Sequence, residues 1–351
     1  MYSTDKQESQ RIQIVKVICT ILIIFIHMNN EFTGLENGMT IITPYWLETF
    51  KYIVSECLGR AAVPLFFLFS SVLFHSRDIR YSENIKKKFR TLFVPYVMCI
   101  SISIYILVFY IAQSIPAISP YFSNSDNTIR TWTWLEWIDA YIGKIADNQP
   151  FCVPLWFIRD LMILNIMGHI PQRIIGCIPK ISLVIITAIW LWNLQTTVID
   201  VQALVFWNIG ILIVKYNFHM KSIDKISWKL VICIPILIIL DWCCKYNIIH
   251  QFSILVYMLF IVKASDGIVK SKYKQIFIYL MQYSLFIYMF HILVLTALKK
   301  VAVRLLVQTF VVQLTEYCLF PFMTAGICVL GAILMKKICP PFYKLLVGGR
   351  K

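Results

Sequence analysis

Apolar runs close to the length needed to cross a lipid bilayer recur from one end of this chain to the other. A hydrocarbon core of about 30 Å takes roughly 20 residues of helix. Candidate spans fall at residues 12–32, 60–74, 91–113, 153–170, 181–194, 202–214, 228–242, 251–262, 276–298 and 317–335. Those beginning at 181, 202 and 251 are short and must borrow flanking residues. The expected fold class is all-α, a polytopic membrane protein built as a bundle of about ten transmembrane helices, with a single membrane-embedded domain over residues 1–351. Composition agrees, at 59% hydrophobic and 15% charged residues, and no long polar block offers material for a soluble domain.

A net charge of +15 suggests a nucleic-acid partner, but the cations are placed as topology signals are. They gather in alternate intervals: Lys6 and Arg11; Arg77, Arg80, Lys86, Lys87, Lys88 and Arg90; Arg173 and Lys180; Lys215, Lys221, Lys225 and Lys229; Lys263, Lys270, Lys272 and Lys274; then Lys336, Lys337, Lys344, Arg350 and Lys351. The positive-inside rule puts both termini in the cytoplasm, with membrane lipid and no nucleic acid as the surroundings. Lys299, Lys300 and Arg304 break the pattern. They imply either an amphipathic helix at the outer interface or misplaced final spans. The first apolar run follows a short polar lead without a cleavage pattern, so it reads as a retained span. Eleven cysteines are scattered with no CxxC pair or Cys/His cluster, and neither a metal nor a disulfide framework is expected.

Ionisable residues inside the apolar runs need a reason, because a charge near the bilayer centre costs on the order of 3 kcal/mol. Lys16 and His27 share the first run. Eleven helical residues bring them within roughly 20° of one face and separate them by roughly 16 Å. Helical rise places His27 and His291 roughly 22 Å from the inner surface and Arg159 and Asp160 roughly 10 Å below the outer one, so all four are expected in one outer layer. They read as a polar cluster around an internal cavity, with a structural ion pair as the alternative for Arg159 and Asp160 and a hydrogen-bonded core residue as the alternative for His291. Ser70 and Ser71 lie midway along the second run and either line a passage or let helices approach. Lys86, Lys87, Lys88 and Arg90 suit a phosphorylated donor, or simply anionic lipid. The longest polar intervals, 29–59 and 114–152, fall outside in this topology. Trp132, Trp134 and Trp137 in the second read as an interfacial anchor or a sugar-stacking platform.

Five ordered motifs resemble a known family, the membrane acyltransferases of acyltransferase family 3, which include bacterial surface polysaccharide O-acetyltransferases. They are Lys16 and His27 with ten residues between them, AVPLFFLFSSVLF from Ala62, KKKFRTLFVPY from Lys86 to Tyr96, PLWFIRDL from Pro154 and SLFIYMFH from Ser284. Ser71 stands where the family usually has Gly, and Lys16, Lys86 and Lys87 stand where it usually has Arg, which keeps charge and loses bidentate geometry. The resemblance implies transfer of an acyl group, commonly acetyl, from cytoplasmic acyl-CoA to a hydroxyl of an extracytoplasmic sugar, in a bacterial cytoplasmic membrane and without a metal. It implies His27 as general base, Arg159 holding the acceptor or an oxyanion, and Asp160 or His291 orienting His27. Lys16, Lys86, Lys87, Arg90 and Ser70 fall on the donor side. A serine-racemase-like amino-acid-handling module is an alternative within the family. A transporter or flippase for glycan precursors or peptides is the alternative outside it, although paired repeats and Gly-broken helices are not visible.

Overall fold

The computed structural model describes residues 5–28, 43–76, 80–100, 105–116, 129–143, 150–192, 199–227, 233–244 and 247–349, and among them all regular structure is helical. The first helix, α1 (Lys6–Met28), is unbroken and lies centrally, packed against the second span and against the helices of the last third of the chain. The chain returns through α2 (Tyr45–Tyr52), a π turn (Ile53–Leu58), a 3-10 turn (Gly59–Ala61) and α3 (Ala62–His75). Tyr45–His75 is one apolar span, so the span expected from residue 60 begins at Tyr45. Its polar residues hid it, and tertiary partners satisfy them. Ser55 Oγ donates to Phe25 O at 2.7 Å and meets Tyr317 Oη at 2.7 Å, while Arg60 pairs with Glu56 at 2.8 Å. Gly59 lets this span approach α1, since a Cβ there would sit 2.7 Å from Ile26 Cγ1.

Beyond residue 80 come α4 (Tyr81–Lys88), a π turn (Phe89–Phe93), α5 (Val94–Ile100) and α6 (Tyr105–Ser114). The span expected at 91–113 is thus held in pieces, with 101–104 outside the described residues. In the interval expected as an outer loop, α7 (Trp134–Ile142) is a short amphipathic helix opened by a Thr133 and Glu136 capping box and closed by Gly143 at φ 66°. Next, α8 (Trp156–Met167) bends by 62° into α9 (His169–Cys177). Three shorter apolar helices are α10 (Pro179–Leu191), α11 (Val201–Lys215) and, after the small α12 (Lys221–Asp224), α13 (Cys233–Cys244). At 12 to 15 residues they reach roughly 18–22 Å. Finally come α14 (Asn247–Lys270), α15 (Lys274–Met281), α16 (Ser284–Leu305), α17 (Phe310–Ile338) and α18 (Pro340–Leu346).

By length and composition, five helices among the described residues can cross a membrane, six if the bent pair is one span. The expected runs at 251–262 and 317–335 lengthen to 24 and 29 residues, because polar residues near their ends are satisfied by neighbours. Residues 29–32, 193–194 and 228–232 of three expected spans lie outside the described residues.

Two contacts show how the helices are tied. Arg11, buried at the start of α1, makes a bidentate bridge to Asp224 at 2.7 and 2.8 Å and donates to Val262 O and Ser265 Oγ of α14. Ser71 of α3 donates to Trp207 O of α11 at 2.6 Å, and Gly210 is so close that an added Cβ would lie 2.5 Å from Ser71 Cβ. Ser71 therefore serves helix approach.

Candidate functional site

His27 stands in the last turn of α1, and its ring meets that of His291 on α16 with centroids 5.2 Å apart at a 44° tilt. His291 is 1% exposed. Its Nδ1 lies 2.8 Å from Tyr288 O and 3.2 Å from Ile287 O. Carbonyl oxygens only accept, so in the neutral ring Nδ1 carries the proton and Nε2 keeps its lone pair. That Nε2 is buried without a hydrogen-bond partner. The two imidazoles therefore meet as packed rings.

The third member of this group was placed by sequence reading among loop cations. Lys299 lies on α16, continuous with His291 and eight residues beyond it, and is buried at 5% exposure. Its ammonium donates to His27 O and Met28 O, each at 3.0 Å. The last four carbonyls of a helix have no intrahelical donor and carry the negative end of its dipole, so a buried ammonium is well placed there. Of the two alternatives for Lys299 to Arg304, an amphipathic helix or misplaced final spans, the structure has the second: the span expected at 276–298 is the apolar helix Ser284–Leu305, which carries these residues at its end. The legible signal was a lysine eight residues beyond His291, about 80° round the helix and roughly 12 Å along it, at the end of an apolar run.

Arg159 and Asp160 form a separate group. Arg159 Nε donates to Asp160 Oδ1 at 2.9 Å, and its Nη1 donates to Ile142 O at 2.8 Å. Asp160 is fully buried and also accepts the Asp200 amide at 2.8 Å, just ahead of α11. Both carboxylate oxygens are thus committed to Arg159 and the α11 entry, while His291 is the ring beside His27. Arg159 lines a cavity of about 410 Å³ with Phe93, Tyr96, Val97, Tyr141, Ile142 and Ile163. Tyr288 joins the two groups, one turn before His291: its hydroxyl donates to Pro154 O and its ring lies 5.7 Å from that of Phe157.

The residues that the resemblance assigns to the donor lie toward the opposite end of α1, on α3 and in the segments after it. Lys16 is half-buried on α1, eleven residues before His27, roughly 16 Å along the helix. Ser70 is half-buried midway along α3. Lys86, Lys87 and Arg90 are exposed on α4 and the π turn after it. The turn after α18 sits directly on this motif: Gly348, at φ 64°, is so close that an added Cβ would be 2.6 Å from Thr91 Cα, and one at Gly349 would be 3.5 Å from the Arg90 guanidinium. His75 at the end of α3, absent from the sequence-based set, contacts Ser71 O through Nδ1 at 2.9 Å and packs on Trp207 with centroids 5.5 Å apart.

Comparison with known proteins adds a family to this geometry. The chain is 23% identical over 229 residues to the succinoglycan biosynthesis protein ExoH of Rhizobium meliloti (strain 1021), an alignment covering 64% of this chain and 58% of that relative. The chain thus spans little more than half the length of the relative it matches. No solved structure matches. The Acyltransferase domain family matches residues 9–335, a stretch that includes every residue from Lys16 to Lys299 placed above. The helical, membrane-type chain therefore belongs to that family of acyltransferases, the one its ordered motifs resemble.

Proposed function

We propose that the protein is an integral membrane O-acyltransferase of a bacterial cytoplasmic membrane. It moves an acyl group, acetyl in the simplest case, from cytoplasmic acyl-CoA to a hydroxyl of an extracytoplasmic glycan. The relative named for succinoglycan biosynthesis supports a glycan acceptor. Arg11, Lys221 and Lys263 gather where α1 begins, through Asp224 and Asp5, which supports a cytoplasmic face there. On this reading α10, α11, α13 and the α5 and α6 region also cross, for ten crossings with both termini on one side, where the five long helices and the bent pair alone account for five or six.

The His27 and His291 pair, at 5.2 Å, is the observation that carries the reading. His27 takes the proton of the acceptor hydroxyl as its oxygen attacks the thioester carbonyl. A C–O bond forms, the C–S bond breaks, and the thiolate of CoA recovers the proton from His27. His291 packs its ring against His27 and so fixes where that imidazole stands, and Lys299 holds the helix end that carries it. Arg159, fixed by Asp160, binds the acceptor or the developing oxyanion from its cavity. Lys16, Lys86, Lys87 and Arg90 attract the CoA phosphates, and Ser70 lines the way between.

The test supplies radiolabelled acetyl-CoA to membranes holding wild type or His27→Ala and follows label into surface glycan. Transfer by wild type alone is expected. Label that still reaches glycan in His27→Ala removes His27 as the base, and substrate movement across vesicles without any transfer replaces the enzyme with a transporter. Replacing Lys86, Lys87 and Arg90 by Gln should raise the KM for acyl-CoA and leave that of the acceptor alone.

A further inference from the structure

A second acid and imidazole lie at the same end of the bundle as His27, outside everything assigned above. Asp241 sits in α13 among apolar residues, and His250 in α14 donates to it from Nδ1 to Oδ2 at 2.8 Å. The carboxylate is 1% exposed and the imidazole 25%. Burying a carboxylate in an apolar helix is expensive unless something repays it. A purely structural pair would be sealed, whereas this one is open on the imidazole side, and a carbonyl-free partner at Nδ1 leaves Nε2 for a further hydrogen bond.

Aromatic side chains surround it. Trp242, next to Asp241, donates from Nε1 to Tyr45 Oη at 2.8 Å. Tyr52 meets Trp242 edge-on with centroids 4.6 Å apart, and its hydroxyl faces the Asp241 carboxylate. Tyr45 is 68% exposed. An interfacial aromatic belt explains rings at this level but not a buried carboxylate bonded to histidine. One further buried polar atom on α14 lacks a partner, Gln251 Oε1, next to His250 in the chain. Unsatisfied buried acceptors are costly, and a ligand rich in hydroxyls or water relieves them.

We propose that Asp241 and His250, walled by Trp242, Tyr45 and Tyr52, form a carbohydrate subsite that holds a sugar unit of the acceptor chain flanking the one that reacts. The class follows from the mixture: aromatic rings for the apolar C–H side of a pyranose, and an imidazole, held by the buried carboxylate through Nδ1, whose Nε2 accepts from a hydroxyl. The proposal rests on the glycan acceptor inferred above.

The test uses the full-length protein in nanodiscs, with oligosaccharides released from the envelope polysaccharide of the cells that express it. Tyr45→Ala, a change at an exposed ring, and His250→Gln should each raise the KM for these acceptors about tenfold, leaving the KM for acetyl-CoA and kcat within about twofold. Tryptophan fluorescence titrated with the same oligosaccharides should change in wild type and not in Trp242→Phe. Transfer with unaltered acceptor KM in both variants, or a titration identical in Trp242→Phe, overturns the subsite. Binding lost in Trp242→Phe, with no transfer by wild type, sinks the transferase reading and leaves the subsite standing.

Discussion

Lys299 of α16 holds the end of α1 by donating to the main-chain carbonyls of His27 and Met28, each at 3.0 Å. One side chain thereby sets the height and rotation of the helix end that carries His27 against the helix that carries His291.

Lys299→Met removes both charge-assisted bonds and leaves two buried carbonyls unpaired, at a cost of about 2 kcal/mol. Thermal unfolding in detergent should register the loss, and transfer activity should fall with it. Lys299→Arg should recover part of both. A Met variant as stable as wild type would show that the ammonium does not hold α1.

His27→Ala should lower kcat by about 10²- to 10⁴-fold, the range for loss of a general base. His291→Phe keeps a ring of similar size beside His27 and removes the acceptor at Nε2. As a positioning change it should lower kcat while leaving both KM values close to wild type, and it should alter the pH profile of kcat. An unaltered profile with normal kcat would reduce His291 to packing.

Asp5 precedes α1 and is held below the usual carboxylate range, chiefly by its hydrogen bond from Lys221 at 2.7 Å and next by the Glu8 amide. A depressed folded value means that the contact stabilises above the ordinary pKa of about 3.9 and is lost as pH falls through the folded value. The Asp5 carboxyl resonance should therefore titrate at lower pH in wild type than in Lys221→Gln. Coincident titrations would show that the Lys221 contact does not form.

Gly210→Ala would set a Cβ 2.5 Å from Ser71 Cβ and 2.9 Å from Leu68 O, and overpacking of this kind costs about 1–3 kcal/mol. Ser71→Gly loses the bond to Trp207 O and the longer contact with His75 Nδ1, together about 1–2 kcal/mol. The double variant should be less unstable than the sum of the two, because Gly at 71 opens the space that Ala at 210 needs. Additive losses would place the strain on the α3 backbone instead.

Much of the architecture was legible in the chain itself. Continuous apolar runs set the helical class, since only satisfied backbone survives in lipid, and five ordered motifs carried the family that the match over 9–335 establishes. Lys16 and His27 on one helix face follow from an eleven-residue spacing alone, and α1 is indeed unbroken between them. Tyr45–Leu58 escaped notice because Glu48, Lys51, Ser55 and Glu56 make it look like a loop until Phe25 O, Tyr317 and Arg60 satisfy two of them. Asp241 lay in plain view as an acid within an expected span, but its partner nine residues on is recognisable only once α13 and α14 fold side by side.

The sequence by itself determined which segments are apolar, how long they are and where along each helix an ionisable group falls, because hydrophobicity and helical rise are local properties. Tertiary structure alone decided who meets whom. Of the four groups expected in one polar layer, His27 found His291, while Asp160 turned to Arg159 and the Asp200 amide. Helix rotation and neighbour order set that choice, and both depend on contacts such as Ser71 on Trp207 and Lys299 on α1 that join residues far apart in the chain.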